Sequence, residues 1–191
     1  MGAMGRKNLV RRLCRNAILL ALLCVIGMFS VPLGDNVKVS LQLLIVFLIA
    51  LLAEGVVDTL IVTGCYVLLG LFMPIYAGFS SGITPTFGFV LGFVLAAPVV
   101  YLFNRFVPLP SWPRMLIACL LGLLPVYAAG TLFMMLYLHW GIGETLLVAV
   151  VPYLPFDFLK IALAVLTMQT LPSVVKPKWG EKPKKDAQAK E

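Results

Sequence analysis

The 191-residue chain is 61% hydrophobic, only 12% charged, and has a formal net charge of +7. A soluble domain needs about a quarter of its residues charged to cover its surface, so this composition excludes one and describes an integral membrane protein. At roughly 20 residues per crossing the length holds about six spans with short connections and no separate soluble domain.

The chain opens with a basic segment, residues 1–12, expected in the cytoplasm, and a first span is expected from about 13 to 29. No small-x-small cleavage site follows promptly, so this run reads as an uncleaved span rather than a signal peptide. MGAMGR also lacks the Ser or Thr wanted for myristoylation. A second span is expected from about 39 to 53, a polar corner at Glu54, Gly55 and Asp58, and a third span from about 56 to 73. Pro74 begins a loop rich in small and polar residues, IYAGFSSGIT, before a fourth span from about 85 to 103. RFVPLPSWPR then reads as a Pro-rich turn that a helix does not cross. A fifth span is expected from about 115 to 138, a turn at HWGIGE, and a sixth span from about 151 to 171. The basic, Pro-containing residues 172–191 read as a mobile cytoplasmic tail.

The basic residues are gathered at the ends. Arg6, Lys7, Arg11, Arg12 and Arg15 lie at the start, and Lys176, Lys178, Lys182, Lys184, Lys185 and Lys190 follow the last apolar run. Such clusters orient spans and meet anionic lipid, which makes the lipid bilayer rather than nucleic acid their partner. Six spans put both termini on one side, and both are basic, so both are expected in the cytoplasm of a multi-pass cell-membrane protein. Arg105 and Arg114 fall on the same side, whereas the outer loops hold Lys38 against Asp35 and Glu144. The cysteines Cys14, Cys24, Cys65 and Cys119 show no CxxC or His spacing, so no metal site is implied.

Within the sixth span, PYLPFDFLKIALAVL carries Asp157 and Lys160. Counted from Val151, they lie about 9 Å and about 13 Å into the helix, in the outer half of the membrane. A spacing of i, i+3 puts them on one face, where they can pair or address one ligand. A charge at that depth costs on the order of 2.5 to 3.5 kcal/mol, so it faces protein or water. Both a structural ion pair and a polar-ligand site fit these residues. At the same level lie Gln42 with Ser40 beside it, and the loop residues Tyr76, Gly78, Ser80, Ser81 and Thr84. Gly88, Gly92 and Ala96 form a small-residue face in the fourth span that lets a helix or ligand approach closely. This lining suits a small, partly apolar molecule with a polar head.

FMPIYAGFSSGITPTFGFVLGFVLAAP together with PYLPFDFLKIALAVL resembles the BioY family, the biotin-specific S components of energy-coupling factor (ECF) vitamin transporters. The resemblance covers about residues 39 to 171. It implies an all-α, six-helix membrane bundle with both termini cytoplasmic, binding biotin from outside for an ECF module made of a transmembrane coupling protein and two ATPase subunits. The chain has no GxxxxGK[ST] stretch of its own, and no cofactor is implied. Matched residue by residue, Asp157 is expected to accept from the ureido N–H groups and Lys160 to donate to the ureido oxygen or balance Asp157. Gln42 matches the Gln at the start of span two, Tyr76 and Gly78 the "vfaG" segment, and Thr86 and Gly88 the "PTGG" segment. Tyr76 or Phe87 can pack on the fused rings. Phe87 stands where the family has glycine, as does Phe156 before the Asp. With no Arg on the outer side, the biotin carboxylate is left to Lys38, backbone N–H groups, Ser80 or Ser81, or Lys160. Ala17 and Ala21, a small-xxx-small pair in span one, match the spacing by which S components dock on the coupling protein.

Other readings remain open at this stage. An S component for thiamine or riboflavin shares the architecture, and homo-oligomers are not excluded. An intramembrane enzyme is disfavoured because His139 is the sole histidine and lies in a turn beside Trp140, and because no HExxH or GxSxG is present.

Overall fold

The structure, a computed structural model, describes residues 3–32 and 38–172, with the backbone alone for residues 3–8, 32 and 38. The tail lysines, Asp35 and the Lys38 side chain lie outside the described residues. Helices among the described residues are α1 (Ala3–Met28), α2 (Gln42–Leu52), α3 (Val56–Phe72), α4 (Phe87–Phe106), α5 (Ser111–Leu138), α6 (Ile142–Ala149) and α7 (Leu154–Thr170). Strands β1 (Ser30–Pro32) and β2 (Lys38–Ser40) pair antiparallel, Val31 opposite Val39.

The sequence of α2, QLLIVFLIALL, is apolar around its whole circumference, which a helix can sustain only when surrounded. Every residue of α2 but Leu44 is buried, and the helix touches α1, α3, α4, α5 and α7. Around this axis the most extensive pairing is α4 against α5. Glycine makes it close: a Cβ on Gly92 would stand 2.7 Å from the Val126 Cα, and one on Gly88 would stand 2.7 Å from the Ala129 carbonyl oxygen. Ala96, one turn further on, is fully buried. Pro98 and Pro125 sit inside these two helices, as membrane helices tolerate when neighbours surround them. The outer surface is apolar, with Ile18, Phe72, Leu124, Leu136 and Leu147 exposed, the inside-out pattern of a chain solvated by lipid.

Two helices among the described residues, α4 and α5, are long and apolar enough to cross a membrane. The pair α6 and α7, bent by 49° at their junction, qualifies as one further crossing. By contrast α2, at 11 residues, rises only about 16 Å, roughly half of a hydrocarbon core. The α1 helix is long enough but contains Arg11, Arg12 and Arg15.

The helix ends sort by chemistry. One end gathers Arg12 and Arg15 of α1, the corner at Glu54 and Gly55, and the C-terminal end of α4. Arg12 bonds both Asp58 carboxylate oxygens at 2.7 and 2.8 Å, and Asn16 donates to the same group at 2.8 Å. Arg15 reaches Glu54 at 2.8 Å, the Tyr101 hydroxyl donates to the Glu54 carbonyl at 3.0 Å, and Arg114 donates to Asn104 at 3.0 Å. The opposite end carries the hairpin, the loop 73–86 and the corner after α5.

Three expectations need correction. The connection between the first two spans contains a β-hairpin, so the fold is mostly rather than wholly helical. The Pro-rich turn shrinks to residues 107–110, because Pro113 occupies the first turn of α5, where its missing N–H has no helical acceptor to lose. The expected turn at HWGIGE is also short: helix resumes at Ile142, and the break falls instead at 150–153, beside Pro152 and Pro155.

Candidate ligand-binding site

A cavity of about 260 Å³ opens where the β2–α2 junction, the start of α4, the middle of α5 and the α6–α7 break converge. Its position follows from local sequence. Pro155 suits the first turn of α7, and the first bond of that helix is Asp157 N–H donating to the Tyr153 carbonyl at 2.9 Å. Asp157 therefore stands in the first turn, where the exposed N–H dipoles favour a carboxylate.

Lys160, one turn later on the same face, places its Nζ 2.7 Å from Asp157 Oδ1. The Tyr127 hydroxyl of α5 donates to the other oxygen, Oδ2. Asp157 and Lys160 are 4% and 6% exposed, so their charges are desolvated and depend on each other. The pair sums to zero. Gln42 supplies a second polar group: its Nε2 donates to the Tyr66 hydroxyl, while Ser40 Oγ donates to its Oε1 at 3.1 Å. The Tyr66 hydroxyl in turn donates to the Ile75 carbonyl at 2.9 Å, which fixes the direction of the chain of bonds. Most of the remaining lining is apolar, including Leu43, Phe89, Val90, Phe93, Val126 and Met134. Such a cavity accepts a small apolar body and orients a hydrogen-bonding head against one neutral ion pair.

Of the residues singled out from sequence, Ser40, Gln42, Thr86, Asp157 and Lys160 line this cavity. Tyr76 and Phe87 form a layer behind it. The Tyr76 hydroxyl donates to the Val67 carbonyl at 2.6 Å, its ring packs across Gly70, and the Phe87 ring lies 6.2 Å from Tyr76 and 5.7 Å from Phe133. Gly78 shapes the loop, with φ of 72° and its N–H donating to the Met28 carbonyl at 3.0 Å. Ser80 Oγ is engaged within the loop by the Ala77 carbonyl at 3.0 Å, and Gly88 is taken up by the α4–α5 contact. Ala77 carries this loop to the cavity. Ala17 and Ala21 are exposed on α1.

Sequence reasoning missed Tyr127, Tyr153, Phe89 and Phe93, all of which line the cavity. Tyr127 left a usable trace, a lone hydroxyl in the apolar run LLPVYAAG, but nothing local told which helix it would meet.

A model described as the BioY family matches residues 4–177. The chain is 35% identical over 162 residues to the biotin transporter BioY of Thermotoga maritima, covering 82% of this chain and 93% of that protein. It is 28% identical over 155 residues to the probable biotin transporter BioY of Pyrococcus horikoshii, covering 81% and 92%. Its fold matches the crystal structure of an S-component for biotin from an ECF-type ABC transporter with a TM-score of 0.75 at 20% identity, over 88% of this chain and 93% of that one. With the family model spanning nearly all of the described residues, the chain belongs to the BioY family.

Proposed function

We propose that this protein is the biotin-binding S component of an ECF transporter, a transporter subunit rather than an enzyme. The observation that carries the reading is the Asp157–Lys160 pair facing an otherwise mostly apolar cavity in a member of the BioY family. Biotin matches that lining: a polar ureido head on a fused, largely apolar ring system, with a flexible tail. Asp157 accepts from the ureido N–H groups, and Lys160 donates to its oxygen. The relatives named as biotin transporters support the same ligand.

The segregation of Arg12, Arg15, Arg105 and Arg114 to one end supports six membrane segments with both termini in the cytoplasm and the cavity near the outer face. Biotin enters from outside, and the loop from Ile75 to Thr84 closes over it. A coupling protein docks on the exposed Ala17–Ala21 face of α1, and two partner ATPase subunits supply the energy. Tryptophan at both alanines then abolishes co-purification with the module.

Calorimetric titration of the purified chain with biotin, with thiamine and riboflavin as controls, tests the ligand. Binding of biotin alone, lost in Asp157→Asn, is the expected result. A folded sample that ignores biotin overturns the reading.

A further inference from the structure

A second concave surface lies between α1 and α3 at the arginine-rich end and shares no lining residue with the ligand cavity. It is a groove of about 400 Å³ walled by Leu9, Leu13, Ala17 and Leu20 of α1 and by Val57 and Ile61 of α3. Arg12, Asn16 and Asp58, bonded to one another, join the two walls. Leu13 and Ile61 are 57% and 50% exposed, so the walls are open to whatever surrounds the chain. From Leu9 to Leu20 the α1 wall rises about 17 Å. One leaflet's share of a hydrocarbon core is about 15 Å. Spread over that length, the volume gives a mean cross-section of about 24 Å², well under the roughly 80 Å² of a helix 10 Å across.

We infer that this groove holds one acyl chain of an anionic phospholipid, with the lipid phosphate on the Arg12 guanidinium. Lipid touches every outward face of such a chain, and what sets this place apart is a slot one leaflet deep with a cation at its mouth. Both bonds from Arg12 to Asp58 are made by Nε, and the two Nη groups carry four further N–H donors. The Arg12 side chain is 36% exposed, and a guanidinium takes phosphate oxygens in pairs. A helical side chain leans toward its N-terminus, which carries the Arg12 head toward the membrane surface while its stem stays on apolar wall. This end of the sequence gathers Arg6, Lys7, Arg11, Arg12 and Arg15 against Glu54 and Asp58, an excess of positive charge that favours an anionic head over a zwitterionic one. The site stands apart from the biotin reading and uses none of the cavity residues.

The test is native mass spectrometry of the full chain, purified in detergent and exposed to an equimolar mixture of phosphatidylglycerol and phosphatidylcholine with the same acyl chains. Wild type is expected to retain one phosphatidylglycerol, about fivefold in preference to phosphatidylcholine, as one basic residue near a lipid phosphate provides. Ile61→Trp fills the slot from an exposed position and is expected to retain that lipid about tenfold less, whereas Leu124→Trp, on the exposed face of α5, retains it as wild type does. Arg12→Gln combined with Asp58→Asn removes both charges together, so that neither is left unpaired, and is expected to abolish the preference between the two lipids while a chain is still held. Where that double variant does not fold, Ile61→Trp decides. Wild type that retains no lipid, or both lipids equally, overturns the inference. So does an Ile61→Trp indistinguishable from Leu124→Trp, which places the lipid elsewhere. Displacement of the lipid by inorganic phosphate means a site for the free anion and also overturns it. Loss of co-purification with an ECF module in Ile61→Trp, with lipid retention unchanged, makes the groove a protein surface instead.

Discussion

Two carboxylates in this molecule, Asp58 and Asp157, are almost equally buried, at 3% and 4% exposed, and each holds one cation and one neutral donor. They differ in where those partners come from. Asp58 takes Arg12 and Asn16 from α1, so its bonds fasten α1 to α3 at the arginine-rich end. Asp157 takes its cation from its own helix and faces a cavity, with only Tyr127 reaching it from elsewhere. The same group thus clamps two helices in one place and lines a cavity in the other, where the proposed function gives it the ligand.

Substitutions at these two carboxylates and around them are expected to differ in the size of their effects. The largest effect is expected from Asp157→Asn, which lowers biotin affinity about 100-fold or more by calorimetry, since a charged hydrogen-bonding group in a desolvated site is removed. That variant also leaves Lys160 unpaired. Adding Lys160→Met is expected to raise the melting temperature again without restoring binding, because losing a whole buried pair costs less than losing half of one. Asp58→Ala is expected to do the reverse, costing about 2–3 kcal/mol of stability while leaving biotin affinity within about twofold. If ligand binding fell as far as stability, the division between clamp and recognition surface would be wrong.

Gly92→Ala acts through helix packing instead. Its Cβ meets backbone atoms of α5, which cannot swing away, so α4 and α5 must separate. The expected cost is about 1–3 kcal/mol, with weaker biotin binding because Phe89, Phe93, Val126 and Tyr127 line the cavity from these same helices. The smallest effect belongs to Arg15→Ala. Its partner Glu54 has a side chain 47% exposed, so melting in detergent should register less than about 1 kcal/mol. A shift as large as that of Asp58→Ala would make Arg15 part of the clamp.

The pairing of Asp157 with Lys160 was legible from sequence because helical geometry alone puts i and i+3 on one face. Gln42 and Thr86 were legible through family resemblance, and both reach the cavity. Tyr127 was not, since its meeting with Asp157 depends on how α5 packs on α7. Tyr76 and Phe87 looked like ligand contacts because aromatic rings serve binding and packing equally well, and here Gly70 and Phe133 take them up. The break before α7 was written in VVPYLPF, where two prolines three residues apart, Pro152 and Pro155, outweigh the apolar run around them. The hairpin left a weaker sign, the alternation in VKVS after GDN, which competed with the helical reading of the apolar run that follows.

The intrahelical origin of the Asp157–Lys160 pair bears on the membrane potential. Because both charges ride on α7 one turn apart, any movement of that helix carries them together and displaces no net charge. A single unpaired charge would couple such a movement to voltage by about 2.3 kcal/mol per 100 mV. The cavity's own ion pair contributes nothing of that kind, so the voltage dependence of ligand delivery should come from the ligand's charge and from groups outside the pair.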